Sequence, residues 1–419
     1  MKYTSPRGTR DILPEECDVW RYITDTIVNI FNVYNVKEIK TPIFESAELF
    51  QRAVGDQTDI VEKEMYVFED KGKRVLALRP EGTASVVRAY LQNLPVFQKN
   101  KLVKLFYNGP MFRYERPQTG RYRQFYQIGV EAIGSSLPLI DAEVMIMGVQ
   151  IFKELGIEDI NIAVHSVGCD VCRPVIRERL KDFVASILPH LCTDCQNRYE
   201  KNPLRILDCK NPTCQTYFAG MPDMANALCH ECNDHFIGVL NLLEENQIPH
   251  EVDSHLVRGL DYYTKTVFEI RSNLLGAQNA ICGGGRYDTL IEEMGGKPTP
   301  AFGFAIGMDR LYMVFNQLNL EVPDQKNMDV YIVGVGAAGQ DKSLKIASTL
   351  RKHHIYAEMC LKGNSIKNGL REAVQLNARY VIIIGENEIE TNSYTVKNLE
   401  DKTQFETGDI EEIIKLIQK

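Results

Sequence analysis

The chain has 419 residues, 44% of them hydrophobic and 25% charged, with a formal net charge of −8. That length predicts roughly two or three domains with a sizeable core. The acidic balance excludes a global electrostatic footprint for nucleic acid, so any RNA contact must use local basic patches. No run approaches the about 18 apolar residues of a membrane-spanning helix. The opening MKYTSPRGTRDILPEE has no apolar signal core, so a soluble cytoplasmic protein with no membrane attachment is expected.

The first predicted element is a helix. Pro14, Glu15 and Glu16 suit a first turn, and Trp20, Ile23, Ile27, Ile30 and Phe31 recur at helical spacing up to Tyr34-Asn35. A strand over Lys37 to Phe44 and a helix over Ser46 to Val54 follow, the helix ended by Gly55. Glu64 to Glu69 and Arg74 to Leu78 read as a hairpin. In Arg79-Pro80-Glu81-Gly82-Thr83, the proline and glycine break regular structure. Glu81 and Thr83 are thereby left at the start of the next helix (Ala84 to Gln92), where a cap is the simplest reading.

A longer hairpin alternates from Leu102 to Arg116, turns through Pro117, Thr119 and Gly120, and returns over Arg123 to Ile133. Arg113, Arg116, Arg121 and Arg123 lie in or beside its tip. Gln127, Gly129 and Glu131 on the returning strand share one face. Arginine makes bidentate bonds to phosphate, so this face suits a triphosphate at one end and an amine at the other.

A helix (Leu139 to Leu155) and a strand (Ile160 to His165) precede a stretch of different character. Between about 168 and 247 stand four close cysteine pairs: Cys169/Cys172, Cys192/Cys195, Cys209/Cys214 and Cys229/Cys232. Three are CxxC, a spacing that lets two thiolates reach one tetrahedral Zn²⁺. Cys192 and Cys195 with Cys229 and Cys232 would make one structural zinc site, which Cys209 and Cys214 join or in which they replace a pair. Cys169/Cys172 is expected outside it. Reduced thiols packed as small hydrophobes are the alternative.

Next come Leu256-Val257-Arg258-Gly259-Leu260-Asp261-Tyr262-Tyr263 and a strand over Thr266 to Ile270. Cys282-Gly283-Gly284-Gly285-Arg286-Tyr287-Asp288 is expected to follow a short strand and open a helix, but it lacks Walker spacing. Ala301 to Leu311 reads as a small-residue strand running into a helix. After a polar linker, Pro323 to Asn327, strands and helices alternate to the end of the chain, predicting a separate α/β domain. Its Gly334-x-Gly336 is too short for a dinucleotide fingerprint.

These segments carry a resemblance. FRYERPQTGRYRQF resembles motif 2 of the class II aminoacyl-tRNA synthetases, in the form found in histidyl-tRNA synthetases. LVRGLDYYTKTVFE is similar to the signature loop of that family, AFGFAIGMDRL to class II motif 3, and LRPEGT to the segment that holds the amino acid. The resemblance implies an α+β fold: a mostly antiparallel sheet flanked by helices, an inserted small domain and a C-terminal α/β domain. The boundaries would be 1–167 and 248–322 for the catalytic domain, 168–247 for the insertion, and 327–419 for an anticodon-binding domain. It implies a homodimer that activates L-histidine with ATP and Mg²⁺ to histidyl-adenylate, then transfers histidine to the 3′ end of histidine tRNA. Arg113 and Arg258 would act on the reacting phosphate, with Arg121 and Arg310 also on ATP. Glu81 and Thr83 would hold the α-amino group, Gln127 the carboxylate or α-phosphate region, and Glu131 the imidazole. Tyr262 and Tyr263 would wall the pocket and the glycine run would floor it. Arg116 and Gln118 would face the tRNA acceptor end. Two other classes share parts of this pattern. One is the regulatory subunit of ATP phosphoribosyltransferase, which binds histidine without aminoacylation and typically lacks the C-terminal domain. The other is a synthetase-like RNA-binding protein without catalysis.

Overall fold

The computed structural model describes residues 3–418, apart from 56–57, 98, 210, 219, 222–223, 276–278, 324–327 and 362–364. Most of the expected linker Pro323 to Asn327 therefore lies outside the described residues. The chain divides into two compact units, Met1–Val322 and Pro323–Lys419. Among the described residues no helix is long and apolar enough to cross a membrane.

The first unit is built on an eight-stranded sheet. Its spatial order is Lys37–Glu38, Val103–Phe112, Gln124–Ile133, Ala301–Gly307, Ala280–Arg286, Thr264–Arg271, Asn161–Ser166 and Glu251–Val252. All inner pairings are antiparallel, which makes the sheet mostly antiparallel as the resemblance implies; the outermost pairing at each edge is parallel. One face is covered by the helices Pro14–Val33, Pro138–Glu154, His230–Glu245 and Met308–Gln317. Period-two alternation explains the division: Ile128, Val130 and Ala132 point into that helical core, leaving Gln127, Gly129 and Glu131 to the opposite face. Fully buried side chains such as Phe31, Phe152, Phe268 and Phe302 each contribute on the order of 1.5–3 kcal/mol.

Two expectations are corrected. The strand expected over Lys37 to Phe44 is two strands in two sheets. Lys37–Glu38 edges the large sheet, while Phe44–Ser46 joins Val67–Glu69 and Val75–Leu78 in a three-stranded one. Pro42 cannot donate to a ladder, and Arg79 binds the carbonyl of Thr41 at 3.1 Å, so the chain changes direction between them. The glycine run, expected to open a helix, is itself the central strand Ala280–Arg286. Its neighbours on both sides are strands whose backbones approach too closely for larger side chains: a Cβ on Gly284 would collide with the carbonyl of Gly303.

The insertion within this unit has helices Cys172–Ile187, Thr193–Lys201 and Pro212–Phe218. Their small core contains Ile176, Leu180, Val184, Leu191, Ile206, Leu207, Phe218 and five buried cysteines, with three more cysteines packed against it. The second unit is a five-stranded sheet ordered Ala357–Met359, Val330–Gly334, Tyr380–Ile384, Tyr394–Asn398, Gln404–Thr407. It is the expected α/β pattern with one strand added: Gln404–Thr407 is short, polar and at the edge, so nothing in its composition announced it.

A buried charge cluster ties sheet to helices. Arg286, fully buried, binds both carboxylate oxygens of the equally buried Asp141 and donates to Asp288 at 2.9 Å. Asp141 also meets His235 Nε2 at 2.8 Å. Removing one partner of such a cluster strands a charge away from water. Asp141→Ala should therefore cost about 3–5 kcal/mol in chemical denaturation of this unit. Asp18→Ala, which removes an exposed pair, should cost less than about 1 kcal/mol.

Candidate active site

The register of the sheet arranges the site in three rows across its open face. The deep row is Leu105, Glu131, Gly303, Gly285 and Val267; the middle row is Tyr107, Gly129, Ala305, Gly283 and Glu269. The outer row holds Gly109, Gln127 and Gly307. Neighbouring rows are two residues apart, about 7 Å, so the deep and outer rows are separated by about 13 Å. Because the central positions are glycine or alanine, the face is a trough rather than a packed layer. The cavity above it measures about 740 Å³.

At the deep end, Glu131 is 1% exposed. It accepts from Thr83 Oγ1 at 2.7 Å and from the Tyr287 hydroxyl. Burial pushes its carboxyl from an ordinary 4.5 up to about 8, against the opposing pull of those two hydrogen bonds. Tyr262 and Tyr263 are buried beside it with ring centroids 4.7 Å apart, and Tyr262 meets the edge of Tyr287. Glu81 lines the cavity, but both of its oxygens already serve the chain: the backbone amides of Thr83 and Ala84 donate to them at 2.7 and 2.8 Å. It caps the helix Thr83–Gln92, and burial raises its pKa.

In the middle row the guanidinium of Arg258 lies flat over Gly283, where any Cβ would run into it. It pairs with Glu269, which also accepts from Arg271 Nε at 3.0 Å. Burial opposes the charge on Arg258, but the carboxylate of Glu269 and the neighbouring Tyr263 raise its pKa further. Glu131 likewise lies across Gly303. Of the glycine run expected to floor a substrate pocket, Gly283 does line the cavity. A Cβ there would meet Arg258, one on Gly284 would meet Phe304 and one on Gly285 would meet Tyr263, so these glycines also let neighbouring side chains lie down on the sheet.

At the outer end, Gln127 Oε1 is buried with no hydrogen-bond partner among the described residues. Arg310, on the helix after Gly307, donates to the carbonyl of Ala280 at 2.7 Å, and burial together with the charge of Arg121 lowers its pKa. Arg113 donates to the carbonyl of Pro80 at 2.9 Å and stacks 5.2 Å from the Phe125 centroid. Glu115 sits between Arg113 and Arg121, at 3.9 and 3.2 Å.

The fold therefore gathers Glu81, Thr83, Arg113, Arg121, Gln127, Glu131, Arg258, Tyr262, Tyr263 and Arg310 around one cavity. Arg116 and Gln118 are exposed on the hairpin tip and do not line it. Sequence reasoning missed Tyr107, Glu115, Glu269 and Tyr287. Glu269 had a signal, being on the strand that the signature loop enters, and Tyr287 stands two residues after the glycine run. The insertion also reaches the rim: Asn202 donates to Asp261 at 3.1 Å, while Arg198 and Arg205 approach Asp59 at 3.3 and 3.8 Å.

The cysteine grouping differs from expectation. Cys192 and Cys195 do not meet Cys229 and Cys232. One cluster is Cys192, Cys195, Cys209 and Cys214; the other is Cys169, Cys172, Cys229 and Cys232. Cys169/Cys172 and Cys229/Cys232 stand at the starts of the helices on which the insertion leaves and rejoins the sheet, so they come together; the excursion between them closes on itself.

An antiparallel sheet with this motif order, carrying arginines at the outer end of its open face and a carboxylate at the inner end, defines a class II aminoacyl-tRNA synthetase. The family model described as histidyl-tRNA synthetase matches residues 8–178 and 220–311, and one described as an anticodon binding domain matches 329–419. A protein named histidine–tRNA ligase from Halothermothrix orenii is 48% identical over all of both chains. One of the same name from Desulforamulus reducens is 46% identical over 97% of each. The crystal structure of apo S. aureus histidyl-tRNA synthetase superimposes with a TM-score of 0.82 at 36% identity, covering both chains completely. The chain belongs to the histidyl-tRNA synthetase family.

The buried carboxyl of Glu131 makes stability depend on pH. Its pKa in the fold lies above the ordinary value, so its protonated form is fully accommodated below about pH 4.5. That contribution is lost as pH rises through about 8, where the fold must carry a buried carboxylate. Between about pH 5 and about 8.5, the wild-type chain should lose stability relative to Glu131→Gln, as read from denaturation midpoints of both at each pH.

Proposed function

We propose that the chain is a histidine–tRNA ligase that activates L-histidine with ATP and then esterifies the 3′ end of histidine tRNA. The observation that carries this reading is the order of groups along the trough: a buried carboxyl and three tyrosines at the deep end, Arg258 in the middle row, and Arg113, Arg121 and Arg310 outward. Full-length identity to proteins named histidine–tRNA ligase favours it over the regulatory-subunit alternative.

The imidazole of histidine occupies the deep end, its N–H donated to Glu131 and its faces covered by Tyr262 and Tyr263. The α-ammonium turns to Glu81 and Thr83, whose oxygens keep lone pairs beyond their hydrogen bonds within the chain. The carboxylate then lies near Gln127 and Arg258. One of its oxygens attacks the α-phosphorus, the bond to the bridging oxygen breaks, and pyrophosphate leaves with the electron pair. Arg258 and Arg113 stabilise the charge that gathers on the α-phosphate, while Arg121 and Arg310 hold the outer phosphates and nucleotide. A Mg²⁺ bound with ATP would supply further charge neutralisation, and Glu115 and Glu269, two of the carboxylates lining the cavity, would hold it. In the second step a 3′-terminal ribose hydroxyl attacks the histidyl carbonyl and AMP departs. No covalent enzyme intermediate is required.

The exposed tip residues Arg116 and Gln118 face the tRNA acceptor end. Residues 1–167 and 248–322 form the catalytic domain, 168–247 the insertion that approaches the acceptor stem, and 327–419 the anticodon-binding domain. The enzyme acts in the cytoplasm as a homodimer. The exposed Phe44, Val67, Phe68 and Val75 of the three-stranded sheet support contact with a second copy.

Histidine-dependent exchange of pyrophosphate into ATP tests the activation step. Exchange should occur with histidine and not with other amino acids. Arg258→Ala should lower kcat by roughly 100- to 1,000-fold, and Glu131→Gln should mainly raise the KM for histidine. Histidine binding without any exchange would sink the ligase reading and favour the regulatory subunit.

A further inference from the structure

We propose that the insertion binds two zinc ions, each held by four cysteine thiolates: one by Cys169, Cys172, Cys229 and Cys232, the other by Cys192, Cys195, Cys209 and Cys214. Among the eleven cysteines of the chain, only Cys17, Cys282 and Cys360 fall outside these clusters. In each cluster the four sulfurs lie within 4.8 Å of one another. A tetrahedral Zn²⁺ with bonds of about 2.3 Å requires sulfurs about 3.8 Å apart. The sulfurs of Cys169 and Cys172 are 3.8 Å apart, those of Cys169 and Cys229 3.9 Å, and those of Cys192 and Cys209 3.8 Å. Disulfides would need about 2.05 Å. Cysteines packed only as small hydrophobes have no reason to converge four at a time on one point, and here it happens twice.

The surroundings repeat as well. In each cluster a backbone amide donates to a sulfur: Cys229 N to Cys172 at 3.1 Å, and Cys192 N to Cys214 at 3.2 Å. Such donors stabilise thiolate rather than thiol. The insertion is made of short helices and turns around a thin core, the kind of segment that gains its folding energy from a bound metal. A four-sulfur tetrahedron selects zinc or iron, and closed four-thiolate coordination makes the role structural.

The two ions hold different things. The first joins the exit of the insertion from the sheet to its return. The second braces the segment that carries Arg198, Asn202 and Arg205, the side chains that reach Asp59 and Asp261 at the cavity rim.

The test uses the full-length chain, expressed with added zinc and purified under reducing, oxygen-free conditions. Elemental analysis should find two zinc ions per chain. Titration of the wild-type protein with a mercurial should release both to a chromogenic chelator. Cys209→Ser/Cys214→Ser and Cys229→Ser/Cys232→Ser should each keep one. Replacement of zinc by cobalt should give the intense thiolate-to-metal absorption and visible bands of a tetrahedral site. Should the double variants prove insoluble, the stoichiometry and cobalt spectrum of the wild-type chain decide. A metal-free chain with freely reacting thiols, disulfides in the thiol count, iron in place of zinc, or a single zinc per chain would overturn the proposal.

Discussion

The structure depends on a constraint at the centre of its large sheet. Two adjacent strands carry glycine or alanine at alternate positions on one face, with Gly129 beside them on a third, and this permits functional side chains to lie along the backbone instead of standing above it. Arg258 over Gly283 and Glu131 over Gly303 are the clearest cases. Glycine in a strand interior costs roughly 0.5–1 kcal/mol relative to alanine. The helices on the opposite face, packed against Ile128, Val130, Phe302 and Phe304, offset that loss. A sheet left so thin on one side can hold its shape because the other side is close-packed.

Electrostatics follow from the same arrangement. The deep row is shut off from water and favours a neutral carboxyl at Glu131, whereas in the middle row Glu269 pairs with Arg258 and farther out Glu115 lies between Arg113 and Arg121. The trough therefore carries a polarity gradient along its length, from a buried neutral carboxyl to a cluster of arginines, which is the gradient the proposed function requires.

Much of this was legible in the sequence. The long central hairpin was readable because alternation marks strands and Gly120 marks the turn between them. The residues of the two ends of the trough were readable because they fall within segments long enough to resemble a family. What stayed hidden was whatever depends on which strands become neighbours. The run Gly283-Gly284-Gly285 looks like a loop on local grounds, and only pairing with Ala301–Gly307 and Thr264–Arg271 makes it a strand. The cysteine pairs were visible as pairs, yet which pair meets which is decided by where two helices begin. Glu81 shows a third case. Its capping role was the plain local reading, and it holds even though the residue also lines the cavity.

The order of strands has a consequence for synthesis on the ribosome. Gln124–Ile133 finds its second neighbour, Ala301–Gly307, only after the whole insertion and the strands that follow it have been made. Until then the nascent chain presents the free edge of a long, largely apolar strand, a template for unwanted pairing. Contacts so distant along the chain also slow closure of the sheet. Completion of this enzyme should therefore be late and cooperative, and its half-made form is the species most in need of protection from aggregation.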